Sequence, residues 1–188
     1  MLKAAVDGKA LTECEVLMYM LGSTFGGLHT TKAVLSRITR YFARKPDVRE
    51  GMRNELQRIG AFIEDFVRMY CPPAIWRYPR QDTVIGGCPV KEGEMIALAI
   101  AAANRDPRAI DDPASVSFER GTNKHLGWGY GMHMCLGMHL ARADMRIALE
   151  DWHRLIPDYG VRNDAAVTDQ VYAMAGPSRL PLQRALAR

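Results

Sequence analysis

The longest helical pattern in the chain runs from Thr12 to about Ala43, with Val16, Met20, Leu28, Leu35, Ile38 and Phe42 falling in one helical register. Thr12 followed three residues later by Glu15 forms a capping box, which marks the start of such a helix. Lys45-Pro46-Asp47 interrupts the pattern, because proline cannot donate to a helical ladder. The spacing then predicts a short helix from Val48 to Leu56 and a third from about Arg58 to Tyr70, stopped by Cys71-Pro72-Pro73. Extended segments follow, with turn signals at Gly86-Gly87 and Glu92-Gly93. Met95 to Ala103 is apolar throughout and fits strand or helix. Leu136, Leu140, Ala143 and Ile147 place one apolar stripe on a helix from Leu136 to Leu155, and Val161 to Leu182 reads as short strands and turns. The pattern predicts a mainly α chain with small β-sheets and no internal repeat.

Gly26 and Gly27 stand in the middle of the first helix, where each costs about 1 kcal/mol relative to alanine. Something must require bare backbone there. A close crossing of another helix is one such requirement.

Composition narrows the class. With 188 residues, 48% hydrophobic and 24% charged, the chain suits one globular core. No stretch of about eighteen apolar residues occurs, and the N-terminus lacks the apolar region of a secretory signal, so a cytoplasmic chain with no membrane partner is expected. The net charge is +4, but basic and acidic residues interleave without a run of five or six, which argues against nucleic acid. A modest positive excess suits an anionic cofactor or an acidic protein partner, which Arg142 and Arg146, one helical turn apart, would face. Cysteines 14, 71, 88 and 135 show no Cys-x-x-Cys or metal-ligand spacing, which removes zinc and disulfide frameworks. Three of them read as ordinary core or loop residues.

Cys135 differs by its surroundings, Lys124-His125-Leu126-Gly127-Trp128-Gly129-Tyr130-Gly131-Met132-His133-Met134-Cys135-Leu136-Gly137. Gly129, Gly131 and Gly137 allow a tight turn and close approach to a flat partner. The loop amides and the dipole of the following helix favour negative charge on sulfur. His125 and His133 can donate to anionic groups, and Trp128 can limit water at the sulfur.

This run resembles the haem-binding loop of the cytochrome P-450 family, Phe-x-x-Gly-x-His/Arg-x-Cys-x-Gly, at Gly131, His133, Cys135 and Gly137, with Trp128 where phenylalanine is usual. Leu140-Ala141-Arg142-Ala143-Asp144 continues the match into the next helix. The family's other landmarks occur in order. Gly26-Gly27-Leu28-His29-Thr30-Thr31 resembles the oxygen-binding segment of its central helix, and Asp65-Phe66-Val67-Arg68 stands in place of its Glu-x-x-Arg signature. Arg77 resembles the arginine that pairs with a haem propionate, and Asn104-Arg105-Asp106-Pro107 with Phe118-Glu119-Arg120 resembles the meander ahead of the cysteine. The likeness is greatest to the soluble bacterial camphor-hydroxylase-like branch.

The resemblance implies the C-terminal portion of the P-450 fold: one partial domain over residues 1–188, lacking the N-terminal half of a family roughly twice this length. It implies haem b ligated by Cys135, held by His125, His133, Arg77, Trp128 and the three loop glycines. Catalytic positions fall on Gly26, Gly27, His29 and Thr30, with Thr30 matching the proton-delivering alcohol and His29 replacing the usual acid. Asp65, Arg68 and Arg120 would form the scaffold network. Asp65 is one methylene shorter than the usual glutamate, which leaves that network strained, while the neighbouring Glu64 points away and has a structural role at best. Ala74, Ile75, Ala173 and Met174 match pocket-lining positions. The implied reaction is hydroxylation of a small hydrophobic compound, such as a terpenoid or fatty acid, with O2 and electrons from a ferredoxin or flavin protein. The alternative is a non-catalytic haem-binding remnant or module that packs with a partner.

Overall fold

The computed structural model describes residues 4–71, 74–120, 124–162, 167–171 and 175–184. A small hairpin, β1 (Ala5–Val6) with β2 (Lys9–Ala10), leads into α1 (Glu13–Arg44), a 32-residue helix. The capping box forms: Thr12 Oγ1 accepts from the Glu15 amide at 3.3 Å, and Glu15 Oε2 accepts from the Thr12 amide at 2.8 Å. Helix α2 (Pro46–Asn54) begins two residues before the expected Val48, because proline in the first turn has no N–H that the helix would need. It also ends before Leu56, which belongs to a 3-10 turn at Leu56–Arg58 ahead of α3 (Ile59–Tyr70).

Strands β3 (Ile75–Arg77), β4 (Thr83–Ile85), β5 (Cys88–Val90) and β6 (Ile96–Leu98) follow, then the one-turn helix α4 (Ile100–Ala103). The ambiguous apolar run is therefore strand, then helix. An irregular segment containing Cys135 reaches α5 (Met138–Leu155), after which come β7 (Tyr159–Val161), β8 (Thr168–Val171), β9 (Ala175–Arg179) and β10 (Leu182–Arg184). All pairings are antiparallel: β3 with β6, β4 with β5, β7 with β10, and β8 with β9. The β4–β5 turn uses Gly86 and Gly87 at φ of +57° and +84°, a geometry that suits glycine at both positions.

The core lies where the C-terminal half of α1 meets α2, α3 and α5. Ile38 and Phe42 of α1, Met52 of α2, Ile59, Phe62, Ile63, Phe66 and Val67 of α3, and Met145 and Leu149 of α5 are buried together with Tyr159. Phe62 is its centre, stacked on Phe42 at 4.7 Å and on Phe118 at 4.6 Å between ring centroids. Arg49 locks the corner, donating to the Tyr159 carbonyl at 2.6 Å while its guanidinium lies 4.8 Å from the Tyr159 ring centroid.

Two apolar faces do not join this core. Leu17 to Leu21 are exposed in succession, with Phe25 and Leu28 beyond them, so Met20 and Leu28 from the expected stripe of α1 face outward. The expected stripe of α5 is also outward: Leu136, Leu140 and Ile147 are exposed, while Met145, Leu149 and His153 form the buried face. Cys71 is buried, whereas Cys14 and Cys88 are exposed rather than in the core. Among the described residues, no helix is long and apolar enough to cross a membrane.

Candidate functional site

Gly129 and Gly131 set the path of the cysteine loop. Their φ values are +81° and +62°, and a Cβ on Gly129 would stand 2.9 Å from the His133 carbonyl oxygen. Gly137 has an ordinary φ of −87°, and its carbonyl accepts the Ala141 amide at 2.9 Å to start α5. The Cys135 amide donates to the Trp128 carbonyl at 2.7 Å, closing the loop. Cys135 thus sits on the outer surface just before α5 as a free, exposed thiol, amid exposed Tyr130, Met132, His133, Met134 and Leu136.

The loop is anchored inward at Glu64, on α3. Arg142 of α5 donates Nε to Oε1 at 2.7 Å and Nη2 to Oε2 at 3.0 Å. Trp128 Nε1 donates to Oε2 at 3.0 Å, and His125 Nε2 reaches Oε2 at 3.2 Å. The Gly127 amide donates to His125 Nδ1 at 3.0 Å, so the proton of the neutral ring lies on Nε2, facing the carboxylate. Arg142 also lies 5.1 Å from the Trp128 ring centroid. Burial alone would raise the Glu64 pKa; the hydrogen bonds from His125, Arg142 and Trp128 overcome it and bring the value down to about 2.

These contacts correct two expectations and give content to the structural role expected of Glu64. The His125 side chain is only 1% exposed and bonds to Glu64 rather than presenting itself outward beside His133. Arg142 belongs to the anchor and is not a free basic group for an acidic partner; Arg146 lies 3.9 Å from Glu150. Glu64 joins the segments on both sides of the cysteine, which its position next to Asp65 did not suggest.

Beneath lies a second group, built on the wholly buried Asp65 and Arg68. Arg68 Nε donates to Asp65 Oδ1 at 2.5 Å and Nη2 to Oδ2 at 3.2 Å. Its remaining N–H groups go to the carbonyls of Asn104, Pro113 and Ser115, so all five donors are used. The Ser117 amide donates to Asp65 Oδ2 at 2.7 Å, and Arg120 Nε stands 3.0 Å from Oδ1. The shorter aspartate therefore reaches the arginine in two-point contact, contrary to the expected strained gap. Buried Asn104 links the two groups: its Oδ1 accepts the Leu126 amide at 2.8 Å and its Nδ2 donates to the Arg68 carbonyl at 3.1 Å. Gly127 also proves essential in the loop, because a Cβ there would meet Val67 and His125 at 2.8 Å. The signal for Glu64 and Gly127 is three-dimensional, since residues so far apart share no periodicity, whereas Asn104 stands in the meander segment already read from the sequence.

The α1 candidates lie on the outward half of that helix. Thr30 Oγ1 donates to the Gly26 carbonyl at 2.6 Å, His29 is exposed, and a Cβ on Gly26 or Gly27 would meet nothing within 4 Å. A close helix crossing within the described residues therefore does not explain the glycines. Gly27, Leu28, Thr31 and Asp144 border a groove of about 450 Å³ between α1 and α5. Arg77 on β3 is half-buried and donates Nη1 to the Trp76 carbonyl at 2.8 Å. Ala74 and Ile75 are half-buried at the same strand. Ala173 and Met174 lie outside the described residues.

Among the described residues, no group of three or more His, Cys, Asp or Glu side chains is placed to hold a metal ion. Cys135 is a single soft donor among apolar surface side chains. Such a donor set fits a metal whose other ligands come from a flat macrocycle, and it does not fit a bare ion.

Comparison with known proteins agrees with this geometry. Residues 1–152 match the family model described as cytochrome P450. The chain is 34% identical over 164 residues to probable cytochrome P450 127A1 of Sinorhizobium fredii, covering 87% of this chain and 40% of the relative. It is 29% identical over 184 residues to the steroid C26-monooxygenase of Mycolicibacterium smegmatis, covering 97% and 46%. Among solved structures, the post-tailoring hydroxylase HmtN of himastatin biosynthesis superposes with a TM-score of 0.91 at 28% identity, over 98% of this chain and 50% of that one. The chain thus spans about half the length of the relatives it matches.

Proposed function

The chain belongs to the cytochrome P450 family, whose cofactor is haem b held by a cysteine thiolate, and on that premise we propose that Cys135 is the iron ligand of a haem-thiolate monooxygenase. The observation that carries this reading is the exposed thiol at the start of α5, on a loop anchored to α3 from both sides. Bound at Cys135, haem b would supply a thiolate-ligated iron that uses O2 and electrons to oxidise an unactivated C–H bond.

The chain's own residues divide the remaining work. His133 and Arg77 are the candidates for holding the propionates. Thr30 donates its hydroxyl hydrogen bond to the Gly26 carbonyl and offers lone pairs outward, so it would accept a hydrogen bond from a pocket water and donate to one only after leaving Gly26. His29 beside it is an imidazole where the family has an acid, which weakens proton delivery relative to a carboxylate. Ala74 and Ile75, with Ala173 and Met174, suit a small hydrophobic substrate such as a terpenoid or fatty acid. The name of the Mycolicibacterium relative also points to an apolar substrate. Electrons would come from a ferredoxin or flavin protein. The exposed apolar faces of α1 and α5 favour a second reading, a haem-binding module that packs with a partner and performs no oxygenation.

The test is haem loading. The chain is mixed with haemin, reduced and exposed to carbon monoxide. A thiolate-type Soret band is expected for the natural chain and not for Cys135→Ala; identical spectra would remove the proposal. Substrate oxidation by the haem-loaded protein with a ferredoxin or flavin donor separates the oxygenase from the module.

A further inference from the structure

Residues 125, 128 and 142 lie ten and seven positions before Cys135 and seven after it, and all three meet on the carboxylate of Glu64. The carboxylate accepts four hydrogen bonds from them, two from the Arg142 guanidinium. The Trp128 carbonyl in turn accepts the Cys135 amide. From the sulfur's own amide, therefore, a continuous hydrogen-bonded path runs through Trp128 to α3 and back through Arg142 to the helix that the sulfur precedes.

We infer that Glu64 is the positioning residue of the Cys135 loop, and that Trp128 adds to it through an indole N–H that the phenylalanine usual at this place lacks. The inference deepens the reading of Cys135 as iron ligand and rests on that reading for its functional meaning. The carboxylate does not touch the sulfur. It fixes the loop before the cysteine and the helix after it to one point, so the backbone that carries the thiol cannot shift without breaking charge-assisted bonds. The same anchor keeps the Arg142 guanidinium charged: the hydrogen bond to Glu64 raises its pKa, and burial opposes it.

Hydrogen exchange on the haem-free chain reads the anchor directly. In Glu64→Ala the Cys135 amide should lose protection by about tenfold or more, while the Phe62 and Phe66 amides in the core keep theirs; a merely global loss of stability would lower all of them together. Glu64→Gln, which keeps the shape, should lie between. Trp128→Phe should cost a few-fold in the natural background and nothing further in Glu64→Ala, because its N–H then has no carboxylate to meet. Unchanged Cys135 protection in Glu64→Ala, or an equal Trp128→Phe effect in both backgrounds, would overturn the inference. In haem-loaded protein, Glu64→Ala should shift the reduction potential and reduce the thiolate-type Soret fraction; an unaltered spectrum and potential would also overturn it. Should the natural chain take up no haem, the monooxygenase reading fails while the exchange measurement still decides the anchor.

Discussion

A single carboxylate shows how neighbours outweigh desolvation. Burial acts first on Glu64 and pushes its pKa up, but three donors reverse the effect, from the ordinary 4.5 down to about 2. The folded value is below the unfolded one, so the stabilisation is complete above pH 4.5 and is lost as pH falls from 4.5 towards 2. The stabilisation is therefore at most about 3 kcal/mol, and less where solvent screens the partly exposed carboxylate. The stability gap between the natural chain and Glu64→Gln, measured as denaturant midpoints, should therefore be wide at pH 7 and nearly closed at pH 2; an equal gap at both would refute this account. His153 adds to acid sensitivity through the same linkage, although there the fold favours the neutral form rather than the charged one. Burial lowers its pKa, so the unfolded chain takes up its proton first and stability declines as pH drops below 6.5. At this scale the sequence was legible for the Asp65–Arg68 pair, which one local spacing connects. It was not legible for Glu64, whose partners lie 61 to 78 positions away.

Helices were readable as helices, but not always by the correct face. The α5 sequence carries two apolar stripes, and periodicity alone cannot say which one meets α3. The structure selects Met145 and Leu149 and leaves Leu140 and Ile147 outside. Leu149→Ala should accordingly cost about 2–5 kcal/mol in this chain, whereas Leu140→Gln or Ile147→Gln should change its stability by about 0.5 kcal/mol or less. Thermal or denaturant unfolding of the three variants checks the assignment, and a large loss in Leu140→Gln would reverse it. In α1 the same ambiguity follows from a sequence apolar on all sides between Leu17 and Leu21, a pattern ordinarily buried all round. Turn chemistry was clearer, since paired glycines at 86 and 87 have the positive φ that their hairpin needs.

As a whole, the molecule combines a dense aromatic core with a broad apolar exterior, and the fold class was legible because the landmark motifs occur in family order over the full length. What the pattern could not supply was the extent of the exterior, which depends on what covers α1. A folded chain with this surface should bind the apolar dye ANS and enhance its fluorescence, with the signal reduced in a Leu17→Gln, Phe25→Gln, Leu28→Gln variant that unfolds at the same temperature. Undiminished fluorescence in the variant would place the dye elsewhere. The two-sided hold on residue 135 has one more consequence, for modularity. A synthetic peptide spanning 124–142 carries the thiol, the indole and the guanidinium but not the acid that gathers them, so grafting that segment onto a foreign scaffold transfers the ligand without its rigidity. The smallest transplantable unit must also include α3.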